Sequence, residues 1–515
     1  MTSLLLPLLL PLLTTAALTL NTFDGPGFPS CLAPISAIHT PPSIPALQSL
    51  IRTAALAGHR VRAAGAGHSW YDTQCSSSTT TPTVILRTDA LTAITDLSLP
   101  GAKGEGAGSV VVEAGVTFFQ LAAHLHERGA SVGYALTNWN ITFGGAVAMG
   151  AHRSSLREAS MVADGAEGVE IVDASGGRRW VERGDGSGEE WAAASTSLGL
   201  LGVIVRVRLR VWEDAKVFAM QKTLEEKEVL DGDIYGMIAP YATANLWWWP
   251  YKRKFHHRYY DVVPTNSTPQ EGFQNTFSVT ELEAIAARTL LDSGKYLATS
   301  NMLAEEIFFG LWSKPNFRDK RTNEHLEAWP VYGWNYDVLI GGLYPDQKPE
   351  WEYGLHGLTL ELAFPVTMAN RMLKRVRALF DEELRKGIVM TSTYRSGINI
   401  KFGKAYFDLL GQGTYNTSDG ADWSKGTIMF DFPTFRPNVG DNKRFNEDFY
   451  HNLANALIDE FPCRPHWTKN SREVLARSVK NLDPNHLRRF NEVRKRFDPD
   501  GMFRSAVGEI LGFYD

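Results

Sequence analysis

Two glycine-rich, hydroxyl-bearing segments constrain the fold more than any other feature of this chain. The first, RAAGAGHSWYDTQ at 62–74, brings Ala64, Gly65, Ala66, Gly67, His68 and Ser69 into one short run. The second, TNWNITFGGAVAMGAHRSS at 137–155, carries Thr142, Gly144, Gly145, Ala148, Gly150, His152, Ser154 and Ser155. Glycine lets a backbone approach an anion closely, and consecutive amides in such a turn make a nest for phosphate. Either segment alone is a weak signal, because a glycine turn beside a histidine is structural more often than functional. Two of them, about 80 residues apart, can enclose a long phosphorylated cofactor from both sides. The first is not GxGxxG and opens no βαβ unit, so a Rossmann site is not expected.

The surrounding pattern reads as an α+β domain over about 30–215. Short β-branched runs alternate with helices and turns: TVILRTD (83–89), SVVVEAG (109–115), GVEIVDASG (168–176) and GVIVRVRLRVW (202–212). In the last, Val203, Val205, Val207, Leu209 and Val211 alternate with Arg206, Arg208 and Arg210, the period of a strand with one apolar face. VTFFQLAAHLHERGA is predicted to be a helix. Thr117 caps it, Phe118, Leu121, Ala122 and Leu125 share a face, and Gly129 ends it.

From 216 to 460 helices lengthen and aromatic residues cluster. TMANRMLKRVRALFDEELRKG (367–387) places Met372, Val376, Leu379 and Phe380 on one stripe with basic residues opposite, while LHGLTLELAFP and GTIMFDFP alternate as strands. The tail HLRRFNEVRKRFDPDGMFRS reads as a helix with Phe490, Val493 and Phe497 inward and a solvated basic face, ended by the DPDG turn.

Composition narrows the function classes. The chain has 515 residues, 44% hydrophobic and 21% charged, which suits a soluble protein of two or three domains. A net charge of −5 gives no reason to expect nucleic acid or an anionic membrane surface as partner. The opening MTSLLLPLLLPLLTTAALTL reads as a signal peptide over 1–19, cut near Ala16 to Thr19, and predicts a secreted protein. Sequons at Asn140, Asn266 and Asn416 agree with secretion, and the last two look the more accessible. Cys31 and Cys75, close in sequence, are expected to pair in an oxidising compartment, leaving Cys463 free. No metal site is expected: His256 and His257 are adjacent and face opposite ways on a strand, and no Cys/His cluster has zinc spacing. No G-x-S-x-G elbow is present.

Taken in order, RAAGAGHSWYDTQ, VEAGVTFFQLAAHLHERGASVGY, TFGGAVAMGAHRSS and ADGAEGVEIVDASG resemble the FAD-binding domain of the vanillyl-alcohol oxidase and p-cresol methylhydroxylase (PCMH) superfamily. CRPHWTKN (463–470), RFDPDGMFRS (496–505), LWWWPY (246–251) and LELAFP (360–365) look like the D-arabinono-lactone oxidase and alditol oxidase branch. The resemblance implies a fold: a two-subdomain FAD-binding domain (30–215), a substrate domain on an antiparallel sheet (216–460), and a C-terminal segment (461–515) returning to the flavin. It implies FAD attached covalently through His68. With no cysteine in 137–155, a second tether is excluded. It also places Lys469 beside the flavin as a cation or hydrogen-bond donor, with His466 and Trp467 shaping the pocket.

One stretch departs from that pattern. Where the lactone oxidases carry a Glu-x-Arg pair before Phe, Lys and Ala, INIKFGKA (398–405) has Asn399 and Lys401. An amide cannot take a proton as a carboxylate does, and lysine lacks the planar guanidinium fork. The expected activity is an oxidase that takes a hydride from an alcohol, lactone or similar small-molecule donor, with dioxygen as acceptor. The substitutions admit an alternative, a tailoring oxidoreductase acting on an aromatic or polyketide-like metabolite. For such a substrate Trp247, Trp248, Trp249 and Tyr251, with His256, His257, Tyr259 and Tyr260, form either a binding wall or sheet core.

Overall fold

The computed structural model describes Cys31 and residues 34–514, apart from 101–106, 134–139, 185–187, 267–272, 276–280, 294–297, 320, 323, 341–356, 387–396, 416 and 436–446. The expected signal peptide and the sequon asparagine Asn416 lie outside the described residues.

Three sheets organise the chain. The first is parallel, in the order Ile35–His39, Thr83–Arg87, Arg60–Ala64. Its centre strand is apolar because both faces are covered. Helix Ile44–Leu56, capped by the Ser43 side chain, lays Ile44, Leu47, Ile51 and Ala54 against it. The second is antiparallel: Ile94–Ser98, Gly108–Glu113, Val203–Glu213, Ala166–Val172, Arg178–Glu182, with Ala130–Ser131 pairing beside the long third strand. The predicted alternation in 203–211 holds: its five apolar residues are buried, and Arg206, Arg208 and Arg210 pair with acids on neighbouring strands and turns. Helix Phe118–His126 closes this layer. Thr117 and Gln120 form a reciprocal cap at its start, and Gly129, at φ +69°, turns the chain out past its end. These two sheets are the expected pair of α+β subdomains.

The third sheet begins at Lys216 and has eight strands in the order Val331–Trp334, Lys216–Glu225, Lys254–Val263, Thr243–Trp249, Ile398–Gly403, Thr427–Phe435, Gly357–Pro365, Arg464–Pro465, antiparallel throughout. On one face Leu246, Trp248, Ile400, Phe430, Phe432 and Leu362 meet helices Ala369–Arg385 and Glu447–Glu460. Arg377 departs from the expected basic outer stripe of the first of these helices: it is buried, with Nη1 3.3 Å from Glu226 Oε1. The opposite face carries the charged residues of the site.

The C-terminal segment completes both of these subdomains. Trp467, Leu475, Phe490, Val493, Phe497 and Val507 join the core of the second sheet, and Met502 and Phe503 that of the first. Cys31 and Cys75 are disulfide-bonded and Cys463 is a buried free thiol, as expected. Among the described residues no helix is long and apolar enough to cross a membrane.

Candidate active site

The two glycine segments meet. A Cβ built on Gly65 would stand 2.2 Å from Thr142 Oγ1, so the first loop lies directly against the Thr142 side chain of the second. A Cβ on Gly144 would meet the Ala114 Cβ at 2.7 Å, which seats the start of helix Phe143–Ala148 directly on the second sheet. Gly67 and Gly150 sit at φ +78° and +67°, conformations that other residues resist. The result is a cradle walled by backbone, the surface a flat, phosphate-bearing cofactor needs, and FAD fits it on that ground. His68 ends the first loop. Burial lowers its pKa to about 4, against a hydrogen bond to Asn140 that raises it, so the imidazole is neutral at physiological pH.

The first loop is then bound to the C-terminal segment. Trp70 N donates to the Thr468 carbonyl (2.9 Å), Thr73 Oγ1 to the Trp467 carbonyl (2.9 Å), and Arg472 forks onto Asp72 at 3.0 and 2.8 Å. Tyr71 Oη donates to the Thr359 carbonyl (3.1 Å), reaching the eight-stranded sheet. The segment HWTKN thereby lies between the cradle and the eight-stranded sheet.

There the sheet presents a row of side chains that no local motif reveals. Glu361, Asp431, Asn399 and Trp247 stand directly opposite one another across four neighbouring strands, all on one face. Lys469 Nζ lies 2.6 Å from Glu361 Oε2 and 2.8 Å from Asp431 Oδ2. Lys401 Nζ lies 2.7 Å from the same Asp431 oxygen and 3.7 Å from Glu361 Oε2. His152 Nε2 meets Glu361 Oε1 at 2.5 Å, which ties the second glycine segment to this carboxylate. Asn470, fully buried, fixes the backbone between them: its Nδ2 donates to the Glu361 carbonyl (2.7 Å) and the His466 carbonyl (2.8 Å), and its Oδ1 accepts from Glu361 N (3.2 Å).

Electrostatics decides the protonation states. Burial pushes the Glu361 pKa up, but Lys469, His152, Lys401 and His466 together outweigh it and hold the carboxyl well below its usual range. For Asp431 burial is likewise overcome, by Lys401 and Lys469. Burial would lower Lys469, yet Asp431 and Glu361 raise it above an ordinary lysine. His466 shows the opposite balance: burial dominates and its pKa falls to about 3. Its Nδ1 accepts from Thr468 N (3.3 Å), which leaves Nε2 as the protonated, donating nitrogen.

Of the residues singled out from sequence, the structure brings Lys469, Lys401, His466 and His152 together, with Asn399 beside them accepting from Asn245 Nδ2 (3.2 Å). Two need correction. Ser154 Oγ donates to the Ala244 carbonyl and accepts from Phe402 N (2.9 Å), and Ser155 Oγ accepts from Arg157 N (3.2 Å) and Glu158 N (2.8 Å). The Ser154 hydroxyl seams the cradle to the sheet and the Ser155 hydroxyl caps the turn that follows it, so both are engaged within the protein rather than turned to a phosphate. The tryptophan run is sheet core: Trp247 and Trp249 pack on helices Glu281–Ser293 and Ala298–Ser313, Trp248 on the other face. His256 and His257 do face opposite ways, His256 stacking on Phe309 and His257 edge-on to Tyr241.

Sequence analysis does not single out Glu361 or Asp431. The available signal is an acid on the minor face of an otherwise apolar strand, in LTLELAF and TIMFDFP. His152, Glu361 and His466 also bring donor atoms within 4.8 Å of one another. Both Glu361 oxygens are already engaged, by His152 and Lys469, and two ammonium groups stand alongside, so this grouping is a hydrogen-bonded charge network.

Comparison with known proteins agrees with this geometry. Residues 35–182 match the FAD binding domain family, and the solvent-stable cholesterol oxidase structure superposes with a TM-score of 0.69 at 14% identity, over 93% of this chain and 96% of that one. A chitooligosaccharide oxidase structure gives 0.59 at 12% identity, over 92% of each chain. The cradle and these likenesses define an FAD-dependent oxidoreductase with the PCMH-type fold. Residues 424–510 match the D-arabinono-1,4-lactone oxidase family. The chain is 27% identical over 444 residues to probable L-gulonolactone oxidase 1 of Arabidopsis thaliana, covering 79% of this chain and 69% of the relative. It is 26% identical over 486 residues to a putative D-arabinono-1,4-lactone oxidase of Neurospora crassa, covering 90% and 81%. The protein is an FAD-dependent oxidase, similar over most of its length to lactone oxidases.

Proposed function

We propose that the enzyme oxidises a hydroxyl-bearing carbon of a sugar lactone or related polyol, with dioxygen as the final acceptor, outside the cell. The observation that carries this reading is the four-charge cluster Glu361, Asp431, Lys401, Lys469, set between the glycine cradle and the substrate sheet. Held between the two glycine segments beside His68, FAD would supply the hydride acceptor and the means of returning two electrons to dioxygen as hydrogen peroxide. Lys469 donates a hydrogen bond to the reacting oxygen, and neutral His466 offers Nε2–H to a second oxygen of the substrate. Glu361, ionised at neutral pH, holds Lys469 in place, and the Lys469–Glu361 pair takes up the hydroxyl proton. A polyhydroxylated substrate suits a pocket floor made of charged hydrogen-bonding groups. An aromatic metabolite gains no support, since Trp247, Trp248 and Trp249 are committed to packing.

Covalent attachment through His68 is part of this proposal, supported by the neutral imidazole at the mouth of the cradle. Secretion is supported by the Cys31–Cys75 bridge and by Asn266, which stands exposed in its sequon. Asn140, by contrast, turns toward His68, so Asn266 is the glycan site expected among the described sequons.

The test is turnover of L-gulono-1,4-lactone, D-arabinono-1,4-lactone and a panel of alditols, with peroxide measured against oxygen consumed. Equimolar peroxide with any of these supports the reading; inertness toward all of them ends it. Acid precipitation decides the tether: yellow colour stays in the wild-type pellet and is lost to the supernatant in His68→Ala.

A further inference from the structure

The charge cluster contains an arrangement that its family resemblance does not explain. Position 399, on strand Ile398–Gly403, carries a neutral amide, while its direct cross-strand partner on Thr427–Phe435 is Asp431. Directly opposed residues in an antiparallel pair project from the same face with Cβ atoms about 5 Å apart. One oxygen of Asp431, Oδ2, receives both Lys401 (2.7 Å) and Lys469 (2.8 Å), while Oδ1 accepts from Thr359 Oγ1 (3.0 Å). Two ammonium groups at a single oxygen repel one another unless that oxygen is anionic, so Asp431 is what allows them to converge. The members are also layered. The Lys469 side chain is 18% exposed, whereas those of Lys401, Asp431 and Glu361 are at 5%, 8% and 0%. Lys469 is the working end, and Asp431 stands behind it.

We infer that Asp431 is a positioning residue, supplying from the neighbouring strand the carboxylate that position 399 lacks and thereby aiming Lys469, charged, at the substrate. The role of Lys401 follows: it neutralises the second half of the Asp431 charge, so that Lys469 is held without being pulled back into the sheet. The groups facing this pair are Glu361 on Gly357–Pro365, His152 on the second glycine segment, His466 on the same segment as Lys469, and Tyr450 on Glu447–Glu460, whose hydroxyl is raised well above its usual pKa by burial. Only Asp431 and Glu361 are anionic at neutral pH, so removing Asp431 leaves two lysines with one carboxylate.

The inference rests on the proposed activity only for its kinetic arm, and the test therefore has a second readout that needs no substrate. In the holoenzyme, acetic anhydride labels Lys469 only as the free amine, and mass spectrometry after digestion gives the extent. Asp431→Asn is expected to raise Lys469 labelling at pH 9 at least about tenfold, the effect of one unit of pKa, and to bring the alkaline fall of kcat/KM to lower pH. Asn399→Asp in the same chain returns the acid to the opposite strand. That double variant is expected to restore labelling to within about threefold of wild type, half a unit, and to recover the alkaline limb. A purely structural role for Asp431 predicts lower activity at every pH, unchanged labelling and no recovery at 399, and that result overturns the inference. If Asp431→Asn does not fold, the double variant, which carries the wild-type charge count, must fold and label as wild type; its failure likewise overturns it. An enzyme inert toward every lactone but showing the labelling pattern refutes the proposed substrate class and leaves this inference standing.

Discussion

The contact between the two glycine segments lends itself to a double-mutant cycle. Gly65→Ala introduces a methyl 2.2 Å from Thr142 Oγ1, where ordinary contact begins at 3.4 Å, so the Thr142 hydroxyl must swing out of its rotamer or one loop must retreat. Overpacking of that kind costs about 1–3 kcal/mol. Thr142→Ala deletes the clashing oxygen, and the next atom in line, Thr142 Cβ, lies at 3.4 Å, an acceptable contact. The single variant Gly65→Ala should thus lose about 1–3 kcal/mol of stability and part of its flavin, Thr142→Ala should lose far less, and the double variant should recover most of the deficit. The coupling free energy, at least about 1 kcal/mol in the favourable direction, lies within the range found for residues in contact. Urea denaturation of the cofactor-free protein measures the stability, and the flavin-to-protein absorbance ratio of the purified enzyme measures retention. If Gly65→Ala melts and binds as wild type, or if Thr142→Ala brings no relief, the loops do not touch as described and the cradle argument fails.

Glu361→Gln removes one of the two carboxylates holding Lys469 and the only acid on His152. Breaking a buried pair costs about 3–5 kcal/mol when a charge is left stranded; Asp431 still faces Lys469, so the low end is expected at pH 7, together with near-complete loss of turnover. Because folding depresses the Glu361 pKa, its contribution is present above the unfolded value of 4.5 and is lost as pH falls further, so the stability gap between variant and wild type should narrow in acid, as pH-dependent urea midpoints would show. Replacing Cys31 and Cys75 by serine opens a loop of 44 residues, for which chain entropy predicts a loss of about 4 kcal/mol. A midpoint unchanged by the double serine variant would mean that the bridge does not form in the folded protein.

Much of the fold is legible because local physics and global packing agree. The 203–211 alternation, the Thr117 cap and the 3.6-residue stripe of Met372, Val376 and Phe380 each specify an element without help from a distant residue, and each is found. The glycine loops are legible as a pair because Gly65 and Gly144 sit where a side chain would crowd Thr142 and Ala114. What stays hidden depends on register. Ser154 resembles a phosphate ligand until the strands that claim its hydroxyl are placed beside it. Glu361 and Asp431 sit in strands whose apolar alternation points to the opposite face, and only the cross-strand pairing 361–431–399 reveals that their own face is the site. The apparent defect at Asn399 is filled by a residue 32 positions away, a substitution no linear motif can show.

The bonds that join the first loop to the far end of the chain also order events in the cell. Arg62 reaches the Phe503 carbonyl at 2.5 Å, Val61 N the Met502 carbonyl at 3.1 Å, and Val507 N the Thr73 carbonyl at 2.9 Å. Residues made first therefore wait for residues made some 440 positions later, and the first loop has its full set of partners only once the C-terminal segment is in place. A chain truncated before residue 500 is expected to leave that loop unbraced and the apolar partners of Met502 and Phe503 uncovered.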